Sequence, residues 1–325
     1  MKPCNFLEKY ANDENKIDKN TPELRLMEQL CAGEKSLAGV FFEEKMTYGM
    51  TSYIDAPHGR FEGFLRMNEF CDGWLKSFKA ISAESIPVIQ TISGLRSASE
   101  IVVRFALDNG ETQEIPMMVV GDLRAGGKLD AVRIYFWWNW VEGFSPVRSP
   151  AFTPTHTTPG ELNLLTGYFR EYYANLHNPN SEEALEHIMN TFEPDFIFGG
   201  YAPAGQVRSE GEVSLSPLEA HRIIFRDKIL YNTPSWRGVR FETLIDDGRT
   251  VVMEWVLTLN PIGYEHGSVS QSGVAAYERG ATGKLKSIRI CDNLSPDDER
   301  QIDHSKAYEN FFTAYPNIGY GWLKP

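Results

Sequence analysis

The stretch YIDAPHGRFEG, residues 53–63, sets an aspartate two residues after a tyrosine and three before a histidine. A carboxylate, an imidazole and a phenol are groups that move protons. Held in place around a substrate, they can take a proton from one atom and return it to another. Asp55 and His58 are the candidates for that transfer. Tyr53, or Arg133 further along the chain, would steady developing negative charge. The same Asp-Ala-Pro-His-Gly also reads as a plain turn, with Asp55 capping backbone amides.

Other candidates are spread along the chain. Arg133 and Arg289 hold equivalent places in a repeated line, where each would anchor an anionic group or pair with an acid on the outer face of a sheet. The second reading is favoured, because the alternating isoleucines mark the other face as the core. Trp74 lies in a helical stretch with Phe70. An aromatic run, Tyr135, Phe136, Trp137, Trp138 and Trp140, is too apolar for water and reads as core and inter-domain packing, or as a ligand platform. Strand alternation puts Trp138 inside. In the second half, DFIFGGYAPAGQ (195–206) has glycines where the first half has Asp55, with Tyr201 just beyond them. His221 falls on a helical stretch, and Trp255 alternates with Glu254 on a strand. We take Trp74, Trp138, Arg133, Tyr201, His221 and Trp255 as candidate substrate contacts.

The elements that must position these residues come in two copies. GKLDAVRIYFWW (127–138) and GKLKSIRICDNL (283–294) share five of their first nine residues, 156 positions apart. Gly127 and Gly283 suit a tight turn, and the alternation that follows is that of a strand. The flanks match as well. Strands are expected at 85–94, 100–110 and 114–123, and again at 238–246, 250–263 and 268–278. Helices are expected from Thr21-Pro22, at 34–45 and at 67–78, then from Thr158-Pro159, at 181–192 and at 217–229. Threonine before proline is a helix start. Strands that follow helices without strict alternation argue for an α+β fold with an antiparallel sheet. The proline-rich stretch 143–160 reads as a linker.

Composition narrows the partners. The 325 residues carry a formal charge of −12, which repels phosphate backbones and anionic lipid. Nucleic acid and membrane are therefore not expected partners. No apolar run reaches the roughly 20 residues of a membrane span. The first residues, MKPCNFLEKYANDENK, are too polar for a signal peptide, so a cytoplasmic location is expected. Cys4, Cys31, Cys71 and Cys291 have neither zinc nor disulfide spacing and are expected as buried thiols. No His-Glu-x-x-His, P-loop or GxGxxG occurs, and no metal or cofactor is expected.

The element order, YIDAPHGRFEG leading into a helix with Phe70 and Trp74, and the glycine-lysine turn into the last strand together resemble the SnoaL-like and nuclear transport factor 2-like superfamily. The resemblance implies two tandem cone-shaped domains, each a curved, mainly antiparallel sheet wrapped around about three helices. Their expected bounds are a tail 1–14, a first domain 15–142, a linker 143–157, a second domain 158–300 and an extension 301–325. It also implies a pseudo-dimer within the chain, with a homo-oligomer as a further possibility. Asp55 matches the region of the general base of ketosteroid isomerase. The acid of that enzyme's oxyanion hole is missing, since the matching positions lie near Val119 and Ala275. The implied activity is cofactor-free lyase, isomerase or cyclase chemistry on a small, mostly apolar molecule. A non-catalytic binding or interaction protein of the same fold is the alternative.

Overall fold

In the computed structural model the described residues are 6–12, 15–46, 49–57, 59–136, 190, 192–201, 213–215, 236–259 and 269–292. The chain divides into two units, Met1–Phe144 and Ser145–Pro325. Both contain a mixed sheet, and the α+β class read from the sequence holds.

In the first unit α1 (Phe6–Tyr10), α2 (Pro22–Cys31) and α3 (Ala38–Phe41) precede β1 (Tyr53–Ala56) and β2 (Gly59–Glu62). Then come α4 (Gly63–Ser77), β3 (Ala80–Ser93), β4 (Arg96–Leu107), β5 (Thr112–Leu123) and β6 (Leu129–Tyr135). The strand order is β2-β1-β6-β5-β4-β3. All neighbours are antiparallel except β1 and β6. One face of the sheet carries Ile54, Ile101, Val103, Phe105, Met117, Val119, Val132, Ile134 and Phe136. They pack with Leu24, Met27 and Leu30 of α2 and with Met67, Phe70, Cys71 and Trp74 of α4. Phe136 joins this core and Tyr135 faces the other way, as the alternation predicts.

Several expectations need correction in detail. Thr21 stands at the N-cap of α2 but does not cap it. Its hydroxyl instead accepts from Gln90 Nε2 at 3.0 Å. The helix expected over 34–45 shrinks to the four residues of α3, because Phe42 leaves to bridge Leu129. The tail expected over 1–14 contains α1. Phe6 is apolar enough to be buried, and Asn15 Nδ2 ties the segment to edge strand β3 by donating to Tyr10 O (3.0 Å) and Val88 O (2.8 Å).

The second unit shows β7 (Phe192–Gly200), β8 (Val213–Leu215), β9 (Trp236–Asp246), β10 (Thr250–Leu259), β11 (Val269–Arg279) and β12 (Leu285–Asp292). Their order is β8-β7-β12-β11-β10-β9, the same plan as in the first unit. Again the last strand is parallel to the first, β12 to β7. The helices expected from Thr158 and at 217–229 lie outside the described residues, as does all but the end of the one expected at 181–192, whose last residue Phe192 instead opens β7. Trp137, Trp138, Trp140 and the linker also lie outside the described residues.

The repeated line is one turn built twice. Arg124 N donates to Lys128 O at 2.7 Å and Gly127 N to Arg124 O at 2.8 Å. Gly280 N donates to Lys284 O at 2.7 Å and Gly283 N to Gly280 O at 3.1 Å. Gly127 and Gly283 sit at φ 79° and 82°, where a side chain is strained. A Cβ on Gly127 would meet nothing within 4 Å, so the backbone alone sets the penalty. Gly127→Ala is expected to cost about 1 kcal/mol in urea denaturation. No measurable loss would mean the turn relaxes.

Candidate functional site

The structure brings Tyr53, Asp55 and Arg133 together, on the sheet face turned away from the helices. Ile54 takes the helix-facing side of β1, and alternation sends Tyr53 and Asp55 to the other. The parallel register then sets Asp55 beside Arg133. All three side chains are buried. Arg60 Nε donates to Asp55 Oδ2 at 3.0 Å, and its guanidinium lies 4.9 Å from the centre of the Tyr53 ring. Arg133 holds Asp122 with two bonds, 2.7 Å and 3.1 Å, and Arg96 adds a third at 3.0 Å. Asp55 was expected at the mouth of the first cone. It lies instead across the sheet from the apolar interior, as an ion-pair partner of Arg60.

The charges here are matched, and the pKa directions say so. Burial pushes the Asp122 carboxyl up, but Arg133 and Arg96 more than offset it and hold it at about 2. Burial pushes the Tyr53 phenol up to about 12 against the pull of Arg133 and Arg60, so it is a neutral donor. Arg133 thus realises the outer-face reading of the sequence.

The second unit repeats this arrangement. Arg289 Nη1 donates to Glu278 Oε2 at 2.8 Å and to Ser287 Oγ at 2.8 Å. Arg289 and Glu278 stand 156 residues after Arg133 and Asp122. Burial raises the Glu278 carboxyl, yet Arg289 and Lys286 bring it to about 2. Gly199 pairs with Arg289 where Asp55 pairs with Arg133, so the acid of β1 has no counterpart in β7. Buried Glu100 and Glu254 mark a further shared position, two residues along from the partners Ala98 and Val252 that sit across the sheet from each arginine. Thr243 Oγ1 donates to Glu254 at 2.6 Å.

These folded-state shifts fix a pH dependence. A carboxyl depressed below its ordinary value adds stability that is complete above the ordinary value and lost as pH falls through the folded one. For Asp122 that window runs from 3.8 down to about 2, and for Glu278 from 4.5 down to about 2. The urea midpoint is expected to fall steeply between pH 4 and pH 2.5, and Asp122→Asn should flatten that fall. An unchanged slope in the variant would contradict the assignment.

Inside the first unit, a second constellation appears that sequence reading missed. Glu23 is the second residue of α2, in the first turn, where the helix dipole favours a negative group. It is wholly buried. Ser97 and Ser99 sit two apart on β4, so both face the helices with Ile101. Ser99 Oγ donates to Glu23 Oε1 at 3.2 Å, and Gln90 Nε2 donates to the same oxygen at 3.4 Å. Gly121 of β5 lies opposite. A Cβ there would sit 3.2 Å from Glu23 Cβ and 3.4 Å from Ser97 Oγ, so glycine is what lets α2 approach the sheet. Glu23 Oε2 and Ser97 Oγ have no hydrogen-bond partner among the described residues.

The rest of that interior is aromatic and aliphatic. Trp74 is buried with Phe70 at 5.5 Å, Phe78 at 4.9 Å and Phe105 at 6.3 Å between ring centres. Its Nε1 also lacks a well-formed hydrogen bond among the described residues and lies against the Cys31 thiol, which burial pushes up to about 12. Cys31, Cys71 and Cys291 are buried free thiols, as expected. Tyr201 is buried just after β7. His58, Trp138, His221 and the Trp255 side chain lie outside the described residues. Among the described residues no His, Cys, Asp and Glu group could hold a metal ion, and no helix is long and apolar enough to cross a membrane.

No family model matches the chain, and no curated protein matches it. Solved structures similar to it include one described as a SnoaL-like polyketide cyclase from Jannaschia sp. CCS1. That likeness has 13% identity and a TM-score of 0.30, over 38% of this chain and 90% of the other. A nuclear transport factor 2-like protein from Anabaena variabilis ATCC 29413 is similar at 18% identity and a TM-score of 0.30, over 38% and 94%. The epoxide hydrolase/cyclase-like enzyme SalBIII, of pyran ring formation in the polyether salinomycin, is similar at 17% identity and a TM-score of 0.28, over 34% and 83%.

Proposed function

We propose that the first unit, with α2, α3 and α4 laid on one face of a mixed six-stranded sheet, takes a small, mostly apolar organic molecule against that helix-facing interior and moves a proton on it. The observation that carries this reading is Glu23. A carboxylate oxygen and a serine hydroxyl left unpaired away from water cost about 1–3 kcal/mol each. Both lie on the helix-facing side of the sheet around Gly121, with Ser99, Gln90 and Thr21, next to the apolar core, and a few polar groups beside an apolar interior are the setting that orients a ligand. Glu23 Oε2 is the proton acceptor of this proposal, and Ser99 and Gln90 orient it through Oε1. Asp55, with Tyr53, was the expected centre of this chemistry. Its ion pair with Arg60 and its place across the sheet support a framework role instead.

The test has two steps. The full chain is dialysed against a metabolite extract, and the retained small molecules are identified by mass spectrometry. Each is then incubated with the protein in heavy water. Retention by the parent protein and loss in Glu23→Gln are expected, with deuterium entering the ligand only in the presence of the parent. Retention without deuterium would favour the alternative reading, a binding protein of the same fold. Equal retention by both proteins would remove Glu23 from the site.

A further inference from the structure

We infer that Asn109, at the tip of the β4–β5 hairpin, is a site of self-modification, where the Gly110 backbone nitrogen displaces ammonia from the asparagine side chain. Leu107 N donates to Glu111 O at 2.8 Å and Gly110 N to Leu107 O at 3.0 Å, so Asp108, Asn109 and Gly110 make the turn. Gly110 stands at φ 83°, the left-handed place that glycine takes in a three-residue hairpin loop. The turn thus demands the one residue that leaves the nitrogen after an asparagine unscreened by a side chain. A Cβ on Gly110 would meet nothing within 4 Å, and Asn109, Gly110 and Glu111 are all exposed, so the tip is open. Asn109-Gly110 is the only asparagine-glycine pair in the 325 residues.

The neighbouring groups favour the step. Asn109 Oδ1 accepts from Glu111 N at 3.0 Å, and Asn109 Nδ2 donates to Glu111 Oε2 at 3.2 Å. The Glu111 N–H polarises the side-chain carbonyl and meets the negative charge that gathers on Oδ1 when a nucleophile adds. In the step, the Gly110 nitrogen gives its proton to hydroxide and bonds to Asn109 Cγ. The Cγ–Nδ2 bond breaks, and Nδ2 takes a proton from water and leaves as ammonia. Water then opens the cyclic imide at either carbonyl, giving aspartate or isoaspartate, and nothing is oxidised or reduced. Isoaspartate runs the chain through the side-chain carbon, one methylene longer. That strains this turn in particular, because Asp108 N donates to Lys79 O at 3.0 Å, just past α4, and Leu107 belongs to the core. Other asparagines of the unit lack the combination. Asn68 lies within α4, with its Oδ1 accepting from Ala38 N at 2.9 Å, and Asn15 and Asn20 precede lysine and threonine.

The full chain is incubated at physiological temperature between pH 7 and pH 9, digested, and its peptides are followed by mass spectrometry, with backbone fragmentation that separates isoaspartate from aspartate. Asn109 is expected to convert at least tenfold faster than Asn15, Asn20 or Asn68, and faster as pH rises, because the attacking nitrogen must lose its proton. Both products should form. Gly110→Ala should slow the conversion severalfold by screening that nitrogen. Gly110→Asn screens it too, tolerates a positive φ, and serves if Gly110→Ala fails to fold. The isoaspartate fraction should unfold at lower urea than Asn109→Asp, which carries the new charge without the extra methylene. Conversion of Asn109 no faster than that of the other three asparagines overturns the inference. So does a rate that is the same at both ends of the pH range, or one that both Gly110 variants leave unchanged.

Discussion

Arg133→Met is expected to destabilise the first unit by about 3–5 kcal/mol. Arg133 is fully buried and supplies two of the three hydrogen bonds that Asp122 receives from guanidinium groups. Methionine fills much the same volume, so packing survives and charge does not. Asp122 would keep only the Arg96 bond at 3.0 Å, in a place where an unbalanced carboxylate is costly. The second change, Asp122→Leu in the same chain, should recover part of the loss, because it removes the stranded carboxylate and leaves only Arg96, whose side chain is 17% exposed, without that partner. Arg289→Met should cost less, since Glu278 retains Arg249 and Lys286 at 3.1 Å each. Urea denaturation followed by circular dichroism measures all three. A loss below about 1 kcal/mol for Arg133→Met would show that the pair is not a framework element.

Trp74→Ala is expected to cost about 3–5 kcal/mol, the range for deleting a large buried aromatic side chain. Trp74 is 1% exposed and joins α4 to β4 through Phe105, and to the end of its own helix through Phe78. Phe78 in turn stacks on Phe105 at 4.2 Å, so the gap cannot close by moving one ring. Trp74→Phe should recover roughly half of the loss, because it keeps part of the apolar contact and drops the unsatisfied indole nitrogen. The same denaturation series reads this, and a near-neutral Trp74→Ala would mean that the interior repacks freely.

The contrast between these sites and the sequence has physical reasons. The alternation of Val132, Ile134 and Phe136 with Arg133 and Tyr135 shows which face of β6 meets the core, because a strand has a period of two. The glycine-lysine turn was equally legible, since φ near 80° belongs to glycine. Asp55 was misplaced for a different reason. Its face depends on the parallel pairing of β1 with β6, a contact across 78 residues that no local pattern encodes. The same pairing carries Asp55 to the side that Arg133 had already marked. The partners Asp122 and Glu278 were in plain view at the spacing of the repeat, but one is aspartate and the other glutamate, so identity hid them. Glu23 had no signal of its own. An acid in the first turn of a helix is ordinary. What sets it apart is Ser99, 76 residues away, and a glycine on β5 that only the folded chain brings opposite.

Methionine methyl groups give the most direct reading of where a ligand goes. Met27, Met67 and Met117 lie in the helix-facing core of the first unit. Met118 is on the other face of the same sheet, paired with Tyr135, and Met253 belongs to β10 of the second unit. With methyl-labelled methionine in the full chain, a small molecule retained by the parent protein from the metabolite extract is predicted to shift the resonances of Met27, Met67 and Met117, to leave those of Met118 and Met253 in place, and to lose this effect in Glu23→Gln. Shifts confined to Met118 or Met253, with the three core methyl groups unmoved at saturation, would contradict a ligand site beside Glu23.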